Sequence, residues 1–448
     1  MRSIRRFFSE LSQYPSAVVG LVIILGLVAI SIYTVITIPY PEAVRLWRGD
    51  EGVWYKTPRT AQPIWVNWFR KDKLPETFSF NTAEGQGTKT ENFSNGTNKI
   101  SISLPFEYNS KYFPQEVSLY FKSKYTQKEP FVTIKLITPD GRKINIDNFA
   151  VGATQTYRLS QDQKLQRRLK GVSPEIGIFM DPNSDPAHPI ALPGKYELQI
   201  SGVGFEEGST VEAEFIVYGQ VYGWAGTDHH RRDLTVPLLW GGPIAIAFGL
   251  VAALGTTVLT MIIAAFGAWY GGWVDEVIQR ITEVNLILPF YSILIMIGTF
   301  YSKSLWITLL AIIALSIFGG GIKSYRAIFL QTKESPYVEA ARAYGAGNMR
   351  IVMQYLVPRI IPLLIPQLVT LIPFYVFLEA SLTIIGLGDP VLPTWGKVIY
   401  DGVGNGALLH GQYYWILEPS VILLITGLSF ALVGFSMDRI FNPRLRGI

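Results

Sequence analysis

Few side chains in this sequence could carry covalent or metal chemistry. With no cysteine, thiolate nucleophiles, disulfides and thiolate metal sites are excluded. The four histidines are His188, His229, His230 and His410, and only His229 and His230 adjoin. No ligand spacing surrounds that pair, which favours ordinary loop histidines over a metal site. No G-x-x-x-x-G-K-[ST] loop occurs, so no nucleotide phosphate is cradled in that way. Paired carboxylates or histidine clusters inside apolar stretches, which a membrane-embedded enzyme would need, are also missing from the sequence. No metal and no cofactor is expected. The residue types on offer suit recognition and mechanical work instead.

The stretch best suited to such work is SPYVEAARAYGAGNMRIVMQYLVPR, residues 335–359. Ser335 can cap a helix whose first position is Pro336, because proline there forfeits no hydrogen bond. That helix carries Glu339, Ala340 and Ala341 and runs to Tyr344, where Gly345 can take positive φ and end it. Asn348 is placed to cap a second helix reaching Pro358. A helix of about nine residues is marginal alone and needs a surface to pack on. Ala340 and Ala341 offer small side chains where another backbone can come close. Two readings fit: a helix-turn-helix docking into a groove of a partner, or an amphipathic connector lying on lipid.

The elements around it are membrane spans. Only 16% of the chain is charged, and the net charge of +5 fits basic residues at membrane borders better than nucleic-acid binding. No charge falls between Glu10 and Glu42, and residues 17–38 are almost wholly apolar, enough to cross a hydrocarbon core of ~30 Å. An uncleaved anchor is the expectation; a cleaved signal peptide behind Arg2, Arg5 and Arg6 is the competing reading, with an apolar run longer than such peptides use. The gap from Asp233 to Asp275 predicts one long or tilted helix with Trp240, Trp269 and Trp273 as interfacial anchors. Four further gaps, Glu283 to Lys303, Lys303 to Lys323, Arg359 to Glu379 and Glu418 to Asp438, each leave 19 uncharged residues. The count is six spans. Arg280, Lys323, Arg326, Lys333, Arg342, Arg350, Arg359, Arg439, Arg444 and Arg446 join the N-terminal arginines on one side, with little beyond Lys303 and Lys397 on the other. Both termini are therefore expected to be cytoplasmic.

Residues 42–233 differ, being polar and rich in turn residues. Alternation at 99–104, 117–121, 132–136, 194–200 and 211–217, with a hairpin turn at Pro139, Asp140 and Gly141, predicts a β-sandwich-like domain outside the cell. Asn92 and Asn95 open glycosylation sequons of the kind that also arise by chance. Trp47, Trp54, Trp65 and Trp68 crowd the start of this region, suited either to the bilayer surface or to stacking on sugar rings. The expected division is 1–41 for the cytoplasmic N-terminus and first span, 42–233 for the β-rich domain, and 234–448 for the remaining spans.

Glu339, Ala340, Ala341, Gly345 and the Val357-Pro358 pair resemble the EAA loop of ABC-importer permeases. Gly226, Thr227 and Asp228 followed by Arg232 and Asp233 resemble the GTD-x-x-GRD motif of the dipeptide/oligopeptide/nickel branch, with Arg231 where glycine is expected. LTIIGLG at 382–388, PTWG at 393–396, and the closing Asp438, Arg439 and residues 442–446 resemble its LSFLGLG, PSWG and RDxLDPRLR stretches. The order and spacing agree with the C-type permease subunit. The resemblance covers about the first 40 residues and 220–448, and leaves 42–220 without a counterpart.

That resemblance implies a polytopic α-helical membrane protein with the importer permease fold: six transmembrane helices and a large extracytoplasmic insertion between the first two. It implies a non-catalytic plasma-membrane subunit moving oligopeptides, or oligosaccharides, with energy from two ATPase subunits that dock at the EAA loop. A similar B-type permease and an external solute-binding protein complete the assembly. Pro362, Pro366 and Pro373 kink span five, as a gate or hinge or as packing bends, with Pro362 near enough the start to kink nothing. Glu379, Asp389 and Asp401 could meet solute, though ordinary interfacial positions suit them as well. The rival of another class is a membrane-anchored sensor with an external β-domain, which accounts poorly for five further spans bearing ordered transporter motifs.

Overall fold

The computed structural model describes residues 13–49, 52–94, 96–185 and 187–441. The Arg2, Arg5 and Arg6 cluster, the Asn95 sequon and the 442–446 stretch lie outside them. The chain forms two compact units, residues 49–235 and the remainder.

The helical unit begins with α1 (Pro15–Thr37), entered through a proline in its first turn, and α2 (Tyr40–Arg48). The other unit holds nine strands: β1 (Phe78–Asn81), β2 (Thr88–Ser94), β3 (Thr97–Tyr108), β4 (Glu116–Lys124), β5 (Phe131–Ile137), β6 (Lys143–Ala150), β7 (Thr154–Arg158), β8 (Gly194–Gly204) and β9 (Thr210–Tyr218), with short helices α3 (Gln163–Arg168) and α4 (Pro174–Gly177) before β8. They pair antiparallel in two sheets, β1-β9-β4-β7 and β2-β3-β8-β5-β6. The alternation in β3 buries Ile100, Ile102, Leu104, Phe106 and Tyr108 on one face. These meet Leu119, Phe121 and Phe215 of the other sheet, and Phe106 stacks on Tyr196 at 5.4 Å. Gly141, at φ 84°, makes the expected β5–β6 hairpin turn.

The helical unit resumes with α5 (Thr235–Tyr270), 36 residues long as the wide charge gap predicts. Two of its expected anchors are buried within the chain rather than exposed. Trp240 and Trp269 are buried, Trp240 donating to the Ile38 carbonyl at 3.1 Å, and only Trp273 is exposed.

Spans three and four also depart from expectation. Each is a pair of helices rather than one: α6 (Gly272–Ile287) with α7 (Phe290–Phe300), bent by 78°, and α8 (Leu305–Ile317) with α9 (Gly320–Lys333), bent by 47°. The first break has a plain cause: Leu288 precedes Pro289, whose ring drives it to extended backbone, here ψ 135°. The second falls at Gly319, also extended. A charge gap counts apolar residues and is blind to such breaks. Four described helices are long and apolar enough to cross a membrane unaided, or six spans if each bent pair counts once.

Next come α10 (Pro336–Ala343), α11 (Asn348–Ile351), α12 (Val357–Leu382), α13 (Trp395–Gly404) and α14 (Tyr414–Phe441). The helix expected to run from Asn348 and stop at Pro358 does not stop. Gly347, not Asn348, is its cap, and α11 continues through a wide turn at Val352–Leu356 into α12. Proline lacks an amide and crowds the carbonyl four residues back, so a wider turn just before Pro358 relieves that crowding. The helix then runs unbroken past Pro362, Pro366 and Pro373. Its sharp departure comes at Thr383–Leu387, where Gly386 has φ 89°.

Candidate coupling elbow and motif sites

The elbow is built as a capped helix on a packed base. Ser335 is the N-cap and Pro336 follows it, although the serine hydroxyl makes no capping bond. At the other end Gly345 has φ 81°, its amide reaches the Arg342 carbonyl at 3.0 Å, and the Ala346 amide reaches Ala341 at 3.0 Å. These two bonds are a Schellman closure, which requires a left-handed residue where Gly345 stands. The helix turns Val338 and Ala341 inward, with Val338 packed among Ile351, Val352 and Leu356. Ala341 is therefore part of the elbow's own core, and the outward surface is Glu339, Ala340, Tyr337 and Tyr344. The expectation that both alanines lie on that surface holds for Ala340 alone. Pro358 is exposed on the continuing helix.

A second set of contacts, between side chains far apart in sequence, fixes the elbow to the end of α5. The Arg342 guanidinium lies 5.0 Å from the Trp269 ring centre, and the Lys333 ammonium 5.6 Å from it. Lys333 also donates to the carbonyls of Ala268 and Trp269 at 3.2 and 3.0 Å, closing the last turn of α5 with a cation where the helix dipole favours one. Arg326 Nε spans both Asp275 oxygens at 2.7 and 2.9 Å, joining α9 to α6. These contacts join α10 and the end of α9 to the last turn of α5.

The Gly226–Asp233 motif forms a buried turn in the β-rich unit. Gly226 has φ 71°. Thr227 Oγ1 accepts from the Ala61 amide at 2.9 Å and donates to the Pro58 carbonyl at 2.8 Å. Asp228, fully buried, receives Arg232 Nε at 2.5 Å and the amides of His230 and Arg232 at 2.9 and 2.8 Å. Asp233 accepts the Thr235 amide at 2.8 Å, and burial pushes its carboxyl above the usual carboxylate range. Arg231 keeps the conformation a glycine would supply, with φ 67°. Its guanidinium pairs with Glu116, lies 4.4 Å from the Tyr218 ring centre and donates to the Thr57 carbonyl at 2.7 Å. The departure from the family pattern thus locks this turn to β4 and β9. Arg231→Gly should relax the backbone by ~1 kcal/mol but strand Glu116, a net loss of about 2 kcal/mol or more. Limited proteolysis of the full chain in detergent should cut 49–235 faster in this variant; equal resistance would contradict the lock.

At the other end of α12, glycines permit a knot of close contacts. Gly386 O accepts from Lys303 Nζ at 2.8 Å, and Trp395 Nε1 donates to the Leu238 carbonyl at 2.8 Å. Glu379 is not an interfacial residue: it is buried at 5% exposure and accepts from Thr383 Oγ1 at 2.9 Å. Asp389 accepts the Leu305 amide at 3.2 Å, and Asp401 pairs with Lys397 at 2.8 Å. The early tryptophans do not form one cluster either. Trp47 is buried, Trp54 and Trp65 are half-buried, and Trp68 is exposed with its edge toward an exposed Trp224 at 6.1 Å.

The class of protein to which this unit of apolar helices belongs, a transport permease, is given by the comparisons. Residues 257–447 match the family described as binding-protein-dependent transport system inner membrane component. The oligopeptide transport system permease protein OppC of Bacillus subtilis is 30% identical over 227 residues, 50% of this chain and 72% of that protein. The dipeptide transport system permease protein DppC of the same organism is 28% identical over 226 residues, 50% of this chain and 69% of that one. The peptidoglycan transport system permease protein YejE of Agrobacterium fabrum is 31% identical over 223 residues, 49% of this chain and 57% of that one. The chain belongs to this family, among the C-type permeases of peptide ABC transporters. It is a polytopic membrane protein and a transport subunit rather than a catalytic one.

Proposed function

We propose that this chain is one half of the translocation path of an ATP-driven peptide importer in the plasma membrane. Six spans cross the bilayer, counting each bent pair once. The basic residues of the elbow side face the cytoplasm with both termini, and residues 49–235 lie outside. A homologous B-type permease supplies the other half of the path, two ATPase subunits seat on the elbows, and a solute-binding protein delivers peptide from outside. The observation that carries this reading is the elbow: Glu339, Ala340, Tyr337 and Tyr344 face outward while Val338 and Arg342 tie the same turn to long helices. Closure of the ATPase dimer would push α10, rock α5 and α12, and open the path outward. The β-rich unit would meet the binding protein or the partner permease.

The test is reconstitution of the complete assembly in proteoliposomes. Labelled oligopeptides should accumulate only with ATP supplied to the ATPase side and binding protein on the other. The name of the Agrobacterium relative is reason to include a glycan-bearing peptide in the panel. No ATP-dependent accumulation of any member would refute the proposal.

A further inference from the structure

The break between α8 and α9 leaves an unusual hydrogen-bond balance. Its acceptors are paired: Asn285 Nδ2 donates to the carbonyls of Leu315 at 2.8 Å and Phe318 at 3.2 Å, and Thr260 Oγ1 donates to Ile317 at 2.9 Å. Its donors are not. The cap Gly319 has no side chain, and the amides of Gly320 and Gly321 have no partner among the described residues. Facing them from α5 is Thr257, 2% exposed, whose hydroxyl also lacks one. A helical threonine ordinarily returns its hydroxyl to its own backbone.

These donors line one cavity of about 130 Å³ together with Tyr325, Gln367 and Tyr375. Gln367 and Tyr375 lie on α12, one residue after Pro366 and two after Pro373. Tyr325 donates to Gln367 Oε1 at 2.7 Å, which directs the amide NH2 of Gln367 elsewhere as a donor. Gly320 is not required by packing, since a Cβ there would meet nothing within 4 Å, nor by its backbone angle. Its smallness leaves the amide open to the cavity. In a membrane interior, donors left by a broken helix must meet water or a ligand, and broken helices mark solute sites in other transporters.

Resting on the peptide-import reading, we infer that this chamber is an intramembrane contact site for a main-chain carbonyl of the passing peptide. The amides of Gly320 and Gly321, the Thr257 hydroxyl and the Gln367 amide act as its donors. No lining side chain is charged, so a carboxylate would enter without a counter-charge, whereas a carbonyl oxygen asks only for donors. The volume equals that of about four waters at roughly 30 Å³ each, enough for one peptide group and not for a whole peptide. Such a contact is blind to side chains, as a carrier of varied peptides needs.

The test uses the reconstituted assembly, a short peptide, and analogues in which each peptide bond in turn is a neutral alkene. Thr257→Val should slow uptake of the parent peptide about 3- to 10-fold, the effect of one neutral hydrogen bond. Thr257→Ser should restore it. For the analogue lacking the contacted carbonyl, wild type and Thr257→Val should transport equally slowly. Unchanged uptake by Thr257→Val would overturn the site, as would an equal loss for parent and every analogue, which marks a structural role. A wild-type assembly that takes up no peptide would instead overturn the import reading, and this site with it.

Discussion

Glu339→Lys is expected to leave the chain folded in the membrane at its normal abundance while ATP-driven uptake falls about 100-fold or more. The two halves of this prediction rest on different observations. Glu339 is exposed and makes no contact inside the elbow, so folding should shift by no more than ~0.5–1 kcal/mol, part of it from placing a cation in the first turn of α10. At a protein interface the same reversal removes a charged partner and installs a repulsive one, a cost of about 2–5 kcal/mol, or roughly 30- to 4000-fold in affinity. Membrane abundance, co-purification of the ATPase subunits and peptide uptake should be read together. Retained co-purification with normal uptake would sink the docking role. Arg342→Ala provides the contrast. It cuts the tie to Trp269 and spares the outward face, so it should keep the ATPases bound and uncouple their hydrolysis from transport.

What could be read from the sequence followed from local chemistry. Pro336, Gly345 and Gly141 take the positions their backbone preferences dictate. The strands expected at 99–104, 117–121, 132–136, 194–200 and 211–217 all lie within β3, β4, β5, β8 and β9. The short or irregular strands β1, β2, β6 and β7 have weaker alternation, and they form partly exposed sheet edges where apolar periodicity is not enforced. Whatever depends on a partner distant in sequence stayed hidden. The clamp on Trp269 by Lys333 and Arg342 is such a case. Arg231 is instructive because a motif comparison marks it as a defect. The fold keeps the backbone angle that the motif needs and uses the new side chain to bind a domain which the motif does not encode.

The largest loss of stability should come from Gly396→Val in the PTWG stretch. A Cβ at Gly396 would sit 2.9 Å from the Cα and carbonyl oxygen of Ala380 and 2.9 Å from Thr383 Cβ. Two of those atoms are backbone in the last turns of α12 and cannot step aside as a side-chain tip can. The surrounding knot is equally tight: a Cβ on Gly241 would meet the Trp395 ring at 2.2 Å, while the indole is held by its bond to the Leu238 carbonyl at 2.8 Å. Shifting α13 to make room therefore breaks a buried hydrogen bond and overpacks α5. We expect a cost of at least about 3 kcal/mol, at the upper end of overpacking penalties. Gly26→Val in α1 is the matched control, since a Cβ there meets nothing within 4 Å. In detergent, the Gly26 variant should elute as the wild type does, and the Gly396 variant should aggregate or vanish from the membrane fraction. If both variants eluted alike, the close approach of α13 to α12 could not be what holds this end of the permease together. Gly396 would then need an explanation in motion rather than in packing.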